Sequence, residues 1–429
     1  MINTLATNSF PVTDFGALKV KVLNWIQRFN IFCFLDNHQY QLEPHTQECL
    51  AAAGMKRKMI LHQGDDLAKF QHFIDEKRNW LFGHINYDLK PEVPDSSTSH
   101  FDFIQFPELF FFEPEFIIRL SEQELIIEGR KPADIFESII STNPLQRLIK
   151  TKAAQIKSRF EKDEYLSVVK QLQKHILYGD CYEINFCQEF FAENALIDPL
   201  LVFNKLAELS PNPFSAFYRV DDKWLICASP ERFLMKKGTR ILSQPIKGTS
   251  RRIKDNGELD AKSKSELFYS QKDRSENVMV VDLVRNDLSK VCEEGTVKVD
   301  ELYGVYSFPQ VHQMISTVSG ELKKNTIFTD MIRAAFPMGS MTGAPKKRVM
   351  QLIERYEKSK RGIFSGTLGY ISPDGDFDFN VVIRSLMYNS GSGYLSYQAG
   401  SGITFYSDPE KEWEECLLKA DAIKRVLTD

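Results

Sequence analysis

The segment GTLGYISPDGDFDFNVVIRSLMYNSGSGYLSYQA, residues 366–399, determines the predicted fold. It contains three strand-like runs, Gly366–Ile371, Asp376–Tyr388 and Gly393–Ala399, separated by Ser-Pro-Asp-Gly and Asn-Ser-Gly-Ser-Gly. Short connections of this composition form the tight turns that join neighbouring antiparallel strands. The segment therefore predicts an antiparallel meander and places the chain in the α+β class rather than among doubly wound parallel sheets.

Helical patterns surround this segment. Apolar residues at helical spacing predict a helix from about Asp163 to Tyr178, with Gly179 as its terminating residue. A second helix is expected from Pro345 to near Gly362, and the last helix opens at Asp408–Pro409, an N-cap followed by proline. No glycine-rich dinucleotide or P-loop motif is present, which argues against a nucleotide cofactor.

Composition excludes several classes of protein. The chain has 429 residues, 43% of them apolar, so it can bury a large core. Its 54 basic and 58 acidic residues give a net charge of −4, which provides no sign of a nucleic-acid partner. Because the sequence has neither a signal-peptide pattern nor a membrane-length apolar run, we expect a cytoplasmic protein without a membrane partner. Seven cysteines without a Cys-x-x-Cys motif predict buried, reduced thiols.

The N-terminal third differs from the rest of the chain. Half of the 32 phenylalanines lie before position 140, and Trp80–Tyr87 and Leu109–Phe112 have the composition of buried strands. Between them, Pro91–Ser99 is predicted to be an exposed loop. We expect residues 1–150 to form a β-rich portion packed into the main fold. Residues 151–429 then form the portion that carries the chemistry.

Two pairs of acidic residues lie at helical spacing. On the last helix Glu412, Glu415 and Lys419 share one face, and Asp273 and Glu276 form a second i,i+3 pair. Carboxylates so arranged can hold a hard cation such as Mg²⁺. The alternative is a solvated helix face with a Glu–Lys ion pair, and spacing alone favours that alternative.

A lysine in an apolar setting is the strongest nucleophile candidate. Lys247 lies in Pro-Ile-Lys-Gly-Thr, where Gly248 permits a close backbone approach. Desolvation would lower the pKa of this lysine and make it nucleophilic. A strand-end lysine in a structural salt bridge is the alternative. Glu231, in Ser-Pro-Glu-Arg at a predicted strand end, is placed to act as a proton donor.

Two further features suggest an anionic ligand. The glycine-rich segment Phe336–Lys346 leads into a helix N-terminus, where free amides attract carboxylate or phosphate. Arg384 interrupts an apolar strand, so it is either paired or directed at an anion.

Together these blocks resemble the chorismate-utilising enzymes, the family of the anthranilate, aminodeoxychorismate, isochorismate and salicylate synthases. The resemblance runs from about Asp163 to Arg425. It implies large antiparallel β-sheets packed as a sandwich with flanking helices. The blocks that carry it are Gly179–Asn185, Ser229–Arg232, Pro245–Thr249, Asp273–Asp287, Ser316–Leu322, Phe336–Lys346, Gly366–Tyr370, Ile383–Ser385, Gln398–Ile403 and Asp408–Ala420.

Within the family, Lys247 resembles the nucleophilic lysine of the group that aminates chorismate at C4, whereas anthranilate-forming members carry Ala there. Members that hydrate chorismate have a water-activating lysine at the position of Glu183, which cannot play that part. Asn185 also matches the aminating group. One departure is Gln313, which stands where relatives usually have His and cannot shuttle a proton near neutral pH.

The resemblance implies a mechanism and a site. Lys247 would attack C2 of chorismate, Glu231 would protonate the C4 hydroxyl, and ammonia would displace the lysine. Mg²⁺ would be held by Glu276 and Glu415, with Asp273 and Glu412 in support. The catalytic set implied by the family is Lys247, Glu231 and Asn185, and the substrate-binding set is Thr342, Gly343, Tyr370, Arg384, Gly400, Gly402 and Lys419.

The ammonia source implied by the family is a separate glutamine amidotransferase subunit, since no Cys here lies in a Gly-x-Cys-x-Gly nucleophile turn. The expected product is 4-amino-4-deoxychorismate, a precursor of 4-aminobenzoate for folate synthesis. Two alternatives stay open at this level. One is anthranilate synthesis on the same scaffold, and the other, motivated by Gln313, is a non-catalytic chorismate-binding subunit.

Overall fold

The computed structural model describes residues 6–40, 44, 47–89, 100–143 and 155–428. The predicted loop Pro91–Ser99 and the proposed division at residue 150 lie outside these ranges. Within them the strands are β1 (Ala6–Pro11), β2 (Ile31–Asp36), β3 (Cys49–Ala53), β4 (Arg57–Leu61), β5 (Leu81–Ile85), β6 (Leu109–Glu113), β7 (Phe116–Leu120), β8 (Glu124–Gly129), β9 (Lys157–Ser158), β10 (Glu183–Ala192), β11 (Phe214–Val220), β12 (Lys223–Ser229), β13 (Arg232–Lys237), β14 (Arg240–Gln244), β15 (Ile246–Arg251), β16 (Lys298–Ser307), β17 (Val311–Glu321), β18 (Gly343–Ala344), β19 (Thr367–Ile371), β20 (Phe377–Asn380), β21 (Ser385–Asn389) and β22 (Tyr394–Ile403).

The helices agree with the predicted positions at most of their starts. The helix expected from Asp163 is α4, and the last helix begins directly after Asp408. The helix expected to end near Gly362 is shorter and ends at Tyr356. In the described ranges the helices are α1 (Phe15–Ile26), α2 (Ala68–Glu76), α3 (Pro132–Ile140), α4 (Lys162–Leu177), α5 (Pro199–Leu209), α6 (Gly257–Tyr269), α7 (Gln271–Ser289), α8 (Phe328–Ala335), α9 (Lys346–Tyr356) and α10 (Pro409–Thr428).

Two large antiparallel sheets form the body of the molecule. One has twelve strands, in the order β1-β8-β7-β3-β2-β11-β12-β21-β22-β10-β18, with β9 added to β10. The other has ten, in the order β15-β17-β14-β13-β20-β19-β5-β6-β4, with β16 added to β17. One buried apolar cluster contains side chains from both sheets, including Cys33 of the first and Phe82 of the second. The predicted α+β sandwich is therefore confirmed.

The segment that determined the prediction does not form a meander. Strands β19 and β20 pair in the ten-stranded sheet, whereas β21 and β22 pair in the other. The expected single strand Asp376–Tyr388 is broken at Val381–Arg384, where the chain crosses between the sheets. The prediction of one meander was wrong because the three consecutive apolar residues Val381–Ile383 in a sheet-to-sheet crossing have the same pattern as a buried strand.

In both sheets the N-terminal strands form one continuous block that joins the later strands at a single pair. In the twelve-stranded sheet, β2 pairs with β11, and in the ten-stranded sheet, β5 pairs with β19. Both pairings leave the N-terminal strand in the interior of its sheet, with strands on either side. All seven cysteines are buried and free, as the sequence predicted. Among the described helices, none has the length and apolar character needed to cross a bilayer.

A buried ion pair supports the edge of the fold next to the glycine-rich segment. The carboxylate of Glu357 lies 2.6 Å from Arg361, and both side chains are at most 4% exposed. The guanidinium of Arg361 also donates to the backbone oxygens of Met341 and Asn185. A single residue therefore links β10 to the loop before β18.

Removing the carboxylate of this pair should destabilise the protein strongly. Glu357→Ala would leave the Arg361 charge buried and unpaired, which costs about 3 kcal/mol or more. We expect a lower midpoint in urea unfolding. The matched control is Glu266→Ala, which removes an i,i+4 Lys–Glu pair whose two side chains are about two-thirds exposed and should shift the midpoint little. Equal shifts for the two variants would show that the Arg361 pair has no special structural role.

Candidate active site

Lys247 lies on β15 at a break in the strand register. The pairing of β15 with β17 shifts between Ile246 and Thr249, and Gly248 between them has φ +94°. A Cβ atom on Gly248 would lie 3.0 Å from Asp273 on α7. The glycine therefore meets two requirements, a left-handed backbone and close contact with the helix, and both fix the position of Lys247.

The ammonium of Lys247 is paired with Glu183 of β10. Its Nζ lies 2.6 Å from Glu183 Oε1, and the two side chains are 9% and 3% exposed. Gly402 on the neighbouring strand β22 makes room for this pair. A Cβ atom there would lie 2.7 Å from Glu183 Oε1 and 3.1 Å from Lys247 Nζ.

Of the two interpretations of Lys247 that the sequence left open, the structure shows the salt bridge. Burial alone would lower the pKa of Lys247, but the carboxylates of Glu183 and Glu276 raise it above the ordinary value. The prediction of a lowered pKa is therefore wrong, because it could not include partners distant in sequence. The resting lysine is an ammonium, and it must lose a proton before it can act as a nucleophile.

For Glu231, in contrast to Lys247, the surroundings favour the neutral form of the side chain. It lies between β12 and β13, is buried, and holds its backbone by accepting from the amide of Val381. Burial raises the pKa of Glu231 from 4.5 to about 7, and the nearby positive charges of Lys247 and Arg384 only partly oppose this. A carboxyl group that keeps its proton near neutral pH is suited to donate it.

Arg384 occupies the crossing between the sheets with an unusual backbone. Its φ is +49°, a conformation that costs about 1 kcal/mol or more in a non-glycine residue. Among the described residues its guanidinium has no hydrogen bond or ion pair, and burial lowers the pKa of Arg384 to about 10. A half-buried guanidinium that is close to the charge of Glu231 but has no hydrogen-bonded carboxylate is suited to bind an anionic ligand.

Asn185 and the glycine-rich loop lie against each other. Asn185 is buried two residues after Glu183 on β10, so the two side chains face the same way. Its backbone amide donates to the oxygen of Thr342 at 2.7 Å. Gly343 has φ +143°, and a Cβ there would lie 2.1 Å from the oxygen of Glu183. The hydroxyl of Thr342 donates to Met338, so this residue shapes the loop.

The other predicted substrate-binding positions on β22 and α10 also converge. Gly400 pairs with Cys187 of β10, and a Cβ on it would lie 2.2 Å from a backbone oxygen. Lys419 donates to the oxygen of Gly400 at 3.0 Å and lies 2.7 Å from Glu415. The end of β22 and the face of α10 are thereby held together.

Tyr370 of β19 packs against aromatic residues of the N-terminal portion. Its ring packs against Trp80 and Phe82, and it lines a cavity together with Asp36 and Asn37 of the N-terminal portion. The expectation that Tyr370 contacts the same ligand as Lys247 stays a prediction, because these contacts describe only the surroundings of its ring. The alternation of side chains along β19 directs this tyrosine toward the β2 side of the core.

Three of the four predicted metal-binding carboxylates surround a lysine that the prediction did not include. Lys272 Nζ lies 3.1 Å from Glu412, 3.8 Å from Glu276 and 4.0 Å from Glu415. Asp273, the fourth, lies against Gly248. Within the described ranges, no three carboxylate, thiol or imidazole groups converge on one point as a preformed metal site.

Some buried oxygens around Lys272 lack donors. Glu276 Oε1 and Glu412 Oε2 have no hydrogen-bond partner among the described residues. Burial raises the pKa of Glu276 to about 7, with Lys247 and Lys272 opposing. For Glu415, burial acts in the same direction, but Lys419 holds the pKa below its ordinary value. The cluster therefore contains hard oxygen donors with unused capacity, which is the chemistry that Mg²⁺ prefers.

Sequence reasoning missed Lys272 and set Glu183 aside. The spacing of Lys272 four residues before Glu276 indicated an ion pair, but nothing local placed α10 beside it. Gln313 is fully buried on β17 and both ends of its amide lack partners in the described structure. Its neighbour His312 is bound to Ser307 and Asp260. His312 is therefore engaged structurally and does not replace the histidine absent at position 313.

Comparisons with known proteins agree with this architecture. A family model described as chorismate binding enzyme matches residues 31–425. Aminodeoxychorismate synthase component 1 of Bacillus subtilis (strain 168) is 29% identical over 397 residues, which cover 86% of this chain and 84% of that protein. The protein of the same name from Escherichia coli (strain K12) is 39% identical over 277 residues, 65% of this chain and 60% of its own length.

Among solved structures, anthranilate synthase component I from Streptococcus pneumoniae TIGR4 superposes with a TM-score of 0.78. It is 23% identical, and the match covers 90% of this chain and 94% of that one. This likeness shows a shared fold.

The raised pKa of Glu231 makes a testable contribution to stability. Because the folded protein binds this proton more tightly than the unfolded chain, the contribution is complete below pH 4.5 and is lost as pH rises through about 7. Glu231→Gln never ionises. We expect its stability relative to the wild type to increase by about 2 kcal/mol from pH 5 to pH 8 in urea unfolding.

The exposed position Glu266 provides the control, since Glu266→Gln should show no such change with pH. A constant difference between Glu231→Gln and the wild type would mean that Glu231 is ionised over the whole range.

Proposed function

Because the chain belongs to the chorismate-binding enzyme family, we propose that it aminates chorismate at C4 to give 4-amino-4-deoxychorismate. One observation carries the proposal, the position of Lys247 as a buried lysine within the electrostatic reach of Glu231 and Glu276. A structural lysine gains little from such a site, since buried charges cost more to desolvate than most pairs return. A lysine that acts as a covalent nucleophile does require such a buried site.

The first chemical step uses Lys247 and Glu231. The lysine nitrogen forms a bond to C2 of the ring, the two ring double bonds shift, and the C4–O bond breaks. Hydroxide is a poor leaving group, so Glu231 gives its proton to this oxygen and water departs. The raised pKa of Glu231, about 7, supports this assignment because a large fraction of the carboxyl groups carry a proton near neutral pH.

The second step replaces the lysine by ammonia. Ammonia bonds to C4, the double bonds shift back, and the C2–N bond to Lys247 breaks with its electrons returning to the lysine. The proton that ammonia brings to C4 can pass to Glu231, which restores the starting acid. Splitting one difficult substitution into two easier ones is the benefit of a covalent lysine.

Chorismate carries two carboxylates, and positive groups with free capacity lie near the reacting atoms. Arg384, without a partner among the described residues, is proposed to bind one of them. The backbone amides near Gly402 and Gly343 and the side chain of Lys419 line the same region. Asn185 faces the same way as Glu183 and is proposed to contact the ring.

The carboxylate cluster of Glu276, Glu412 and Glu415 fits Mg²⁺, because two of its buried oxygens have no partner in the described structure. Glu276 and Glu415 are proposed to hold the ion, with Glu412 and Asp273 in support. When bound, Mg²⁺ would neutralise the ring carboxylate of chorismate and stabilise charge that develops during the reaction. Lys272 is the group that an incoming cation must displace.

The ammonia is proposed to come from a glutamine amidotransferase partner. The support is the name of the Bacillus subtilis relative, which designates one component of a synthase.

A product assay tests the activity directly. The wild type, given chorismate, Mg²⁺ and ammonium and then a lyase, should form 4-aminobenzoate. Lys247→Ala should lose at least about 100-fold in rate while still binding chorismate, because only the covalent route is removed. Lys360→Ala, which removes a lysine paired with Glu108 outside the site, serves as the matched control. The proposal would be contradicted if anthranilate formed without the lyase, or if the folded wild type gave no product.

Metal dependence is a separate test. We expect EDTA to abolish product formation and Glu276→Gln to raise the Mg²⁺ concentration needed for half-maximal rate by roughly 10- to 100-fold. Lys272→Met should lower that concentration, since the competing ammonium is gone, and should tighten Mg²⁺ binding in calorimetry without substrate. Unchanged Mg²⁺ binding in both variants would place the ion elsewhere.

A further inference from the structure

Glu183 is closely enclosed by the neighbouring strands, although the mechanism above gives it no role. It lies on β10 between β18 and β22, and both neighbours approach it through glycines. A Cβ on Gly343 would collide with its backbone oxygen, and a Cβ on Gly402 would collide with its carboxylate. The two strands thus leave space for one carboxylate and one ammonium.

The two carboxylate oxygens of Glu183 are in different environments. Oε1 accepts from Lys247 at 2.6 Å, and Oε2 is buried without a hydrogen-bond partner among the described residues. A proton transferred from the lysine would therefore displace no other hydrogen bond of this carboxylate. A pair kept only for stability would be expected to satisfy both oxygens, because an unpaired buried acceptor costs about 1 kcal/mol or more.

The lysine requires a base. Several charged groups face Lys247 from the elements around it, and Glu183 is the described carboxylate within hydrogen-bond distance of its Nζ. Glu231 is used as the acid on the leaving oxygen, and Glu276 lies against Lys272. The charged groups around the pair are Glu183, Glu231, Glu276, Glu415, Asp273, Lys272, Lys419 and Arg384.

We propose that Glu183 is the general base that frees Lys247 for attack, an inference that rests on the proposed lysine nucleophile. The Nζ–H bond breaks, and its proton moves to Oε1 of Glu183. The lone pair left on nitrogen forms the bond to C2. When ammonia later expels the lysine, the nitrogen regains its lone pair and takes the proton back from Glu183. The pair then returns to ammonium and carboxylate, and the base is neither consumed nor created.

The transfer is short and sheltered from water. Donor and acceptor already lie at hydrogen-bond distance, so no side chain has to move before the proton does. The dianionic substrate brings negative charge to the surroundings of the pair. Arg384 and the cation proposed at the carboxylate cluster would balance that charge. The proton acceptor and the nucleophile are held by different strands, β10 and β15, so the geometry is fixed by the two sheets.

The test is Glu183→Gln, which keeps the shape and the hydrogen bond but cannot accept the proton. We expect kcat at pH 7 to fall about 100-fold, within the range found for general bases, with KM for chorismate within about threefold. The ratio of the variant's rate to the wild-type rate should rise about tenfold per pH unit from pH 6.5 to 8.5, because solvent must now remove the proton. Ionisation of Glu231 lowers both rates alike and cancels in this ratio. Glu183→Asp should recover part of the rate.

Controls separate this proposal from the proposed function. Glu108→Gln, in the matched Lys360 pair outside the site, should keep wild-type kinetics. Circular dichroism should show that each variant is folded. If Glu183→Gln keeps wild-type kcat and pH profile while Lys247→Ala is inactive, the base assignment is wrong and the lysine mechanism stands.

Two other results would also overturn it. A Glu183→Gln variant with raised KM and unchanged kcat would make Glu183 a binding residue only. Wild-type product formation by Lys247→Ala would remove the nucleophile and its base together.

Discussion

The close backbone approach of two strands to β10 is the constraint on which the rest of the site depends. Where β18 and β22 meet β10, the side chains that would collide are absent, since Gly343, Gly400 and Gly402 stand at the contacts. This leaves a narrow space in which Lys247 from the other sheet reaches Glu183. The chemistry is thus positioned by main-chain packing, which is more rigid than side-chain packing.

The site concentrates groups that oppose folding. The carboxyl groups of Glu231 and Glu276 are buried with raised pKa values, and Arg384 combines a strained backbone with a guanidinium that lacks a partner in the described structure. Stability must come from the surrounding apolar core and from well-satisfied pairs such as Glu357–Arg361. Strain and desolvation of this kind are typical of sites prepared for a ligand that supplies the missing partners.

Local sequence signals predicted local structure well. The N-cap at Asp408, the helix near Asp163 and the reduced cysteines were all expected from neighbouring residues. Features that depend on distant partners were missed or mistaken. The crossing at Val381–Arg384 has the same apolar pattern as a strand, and the pKa of Lys247 depends on a carboxylate 64 positions away.

The family resemblance grouped acidic residues from two different helices, which spacing along the sequence could not do. The acidic residues of α7 and α10 meet only because the fold brings the two helices together, and Lys272 between them carried no motif of its own. Tyr370, from a block that matched the family, lines a cavity with residues of the N-terminal portion, which no local signal indicated.

The junction between early and late strands in each sheet affects how the protein can be made. Strand β2 is complete within the first 36 residues, but its neighbour β11 is more than 170 residues further along. The next strand, β12, pairs with β21, which comes later still. During synthesis β2 and β5 therefore leave the ribosome well before one of their two partner strands exists, although the other partner, β3 or β6, follows soon after. Such exposed apolar strands are prone to aggregate. Contacts this distant in sequence also make folding slow, so the chain is expected to depend on chaperones until its last helix is released.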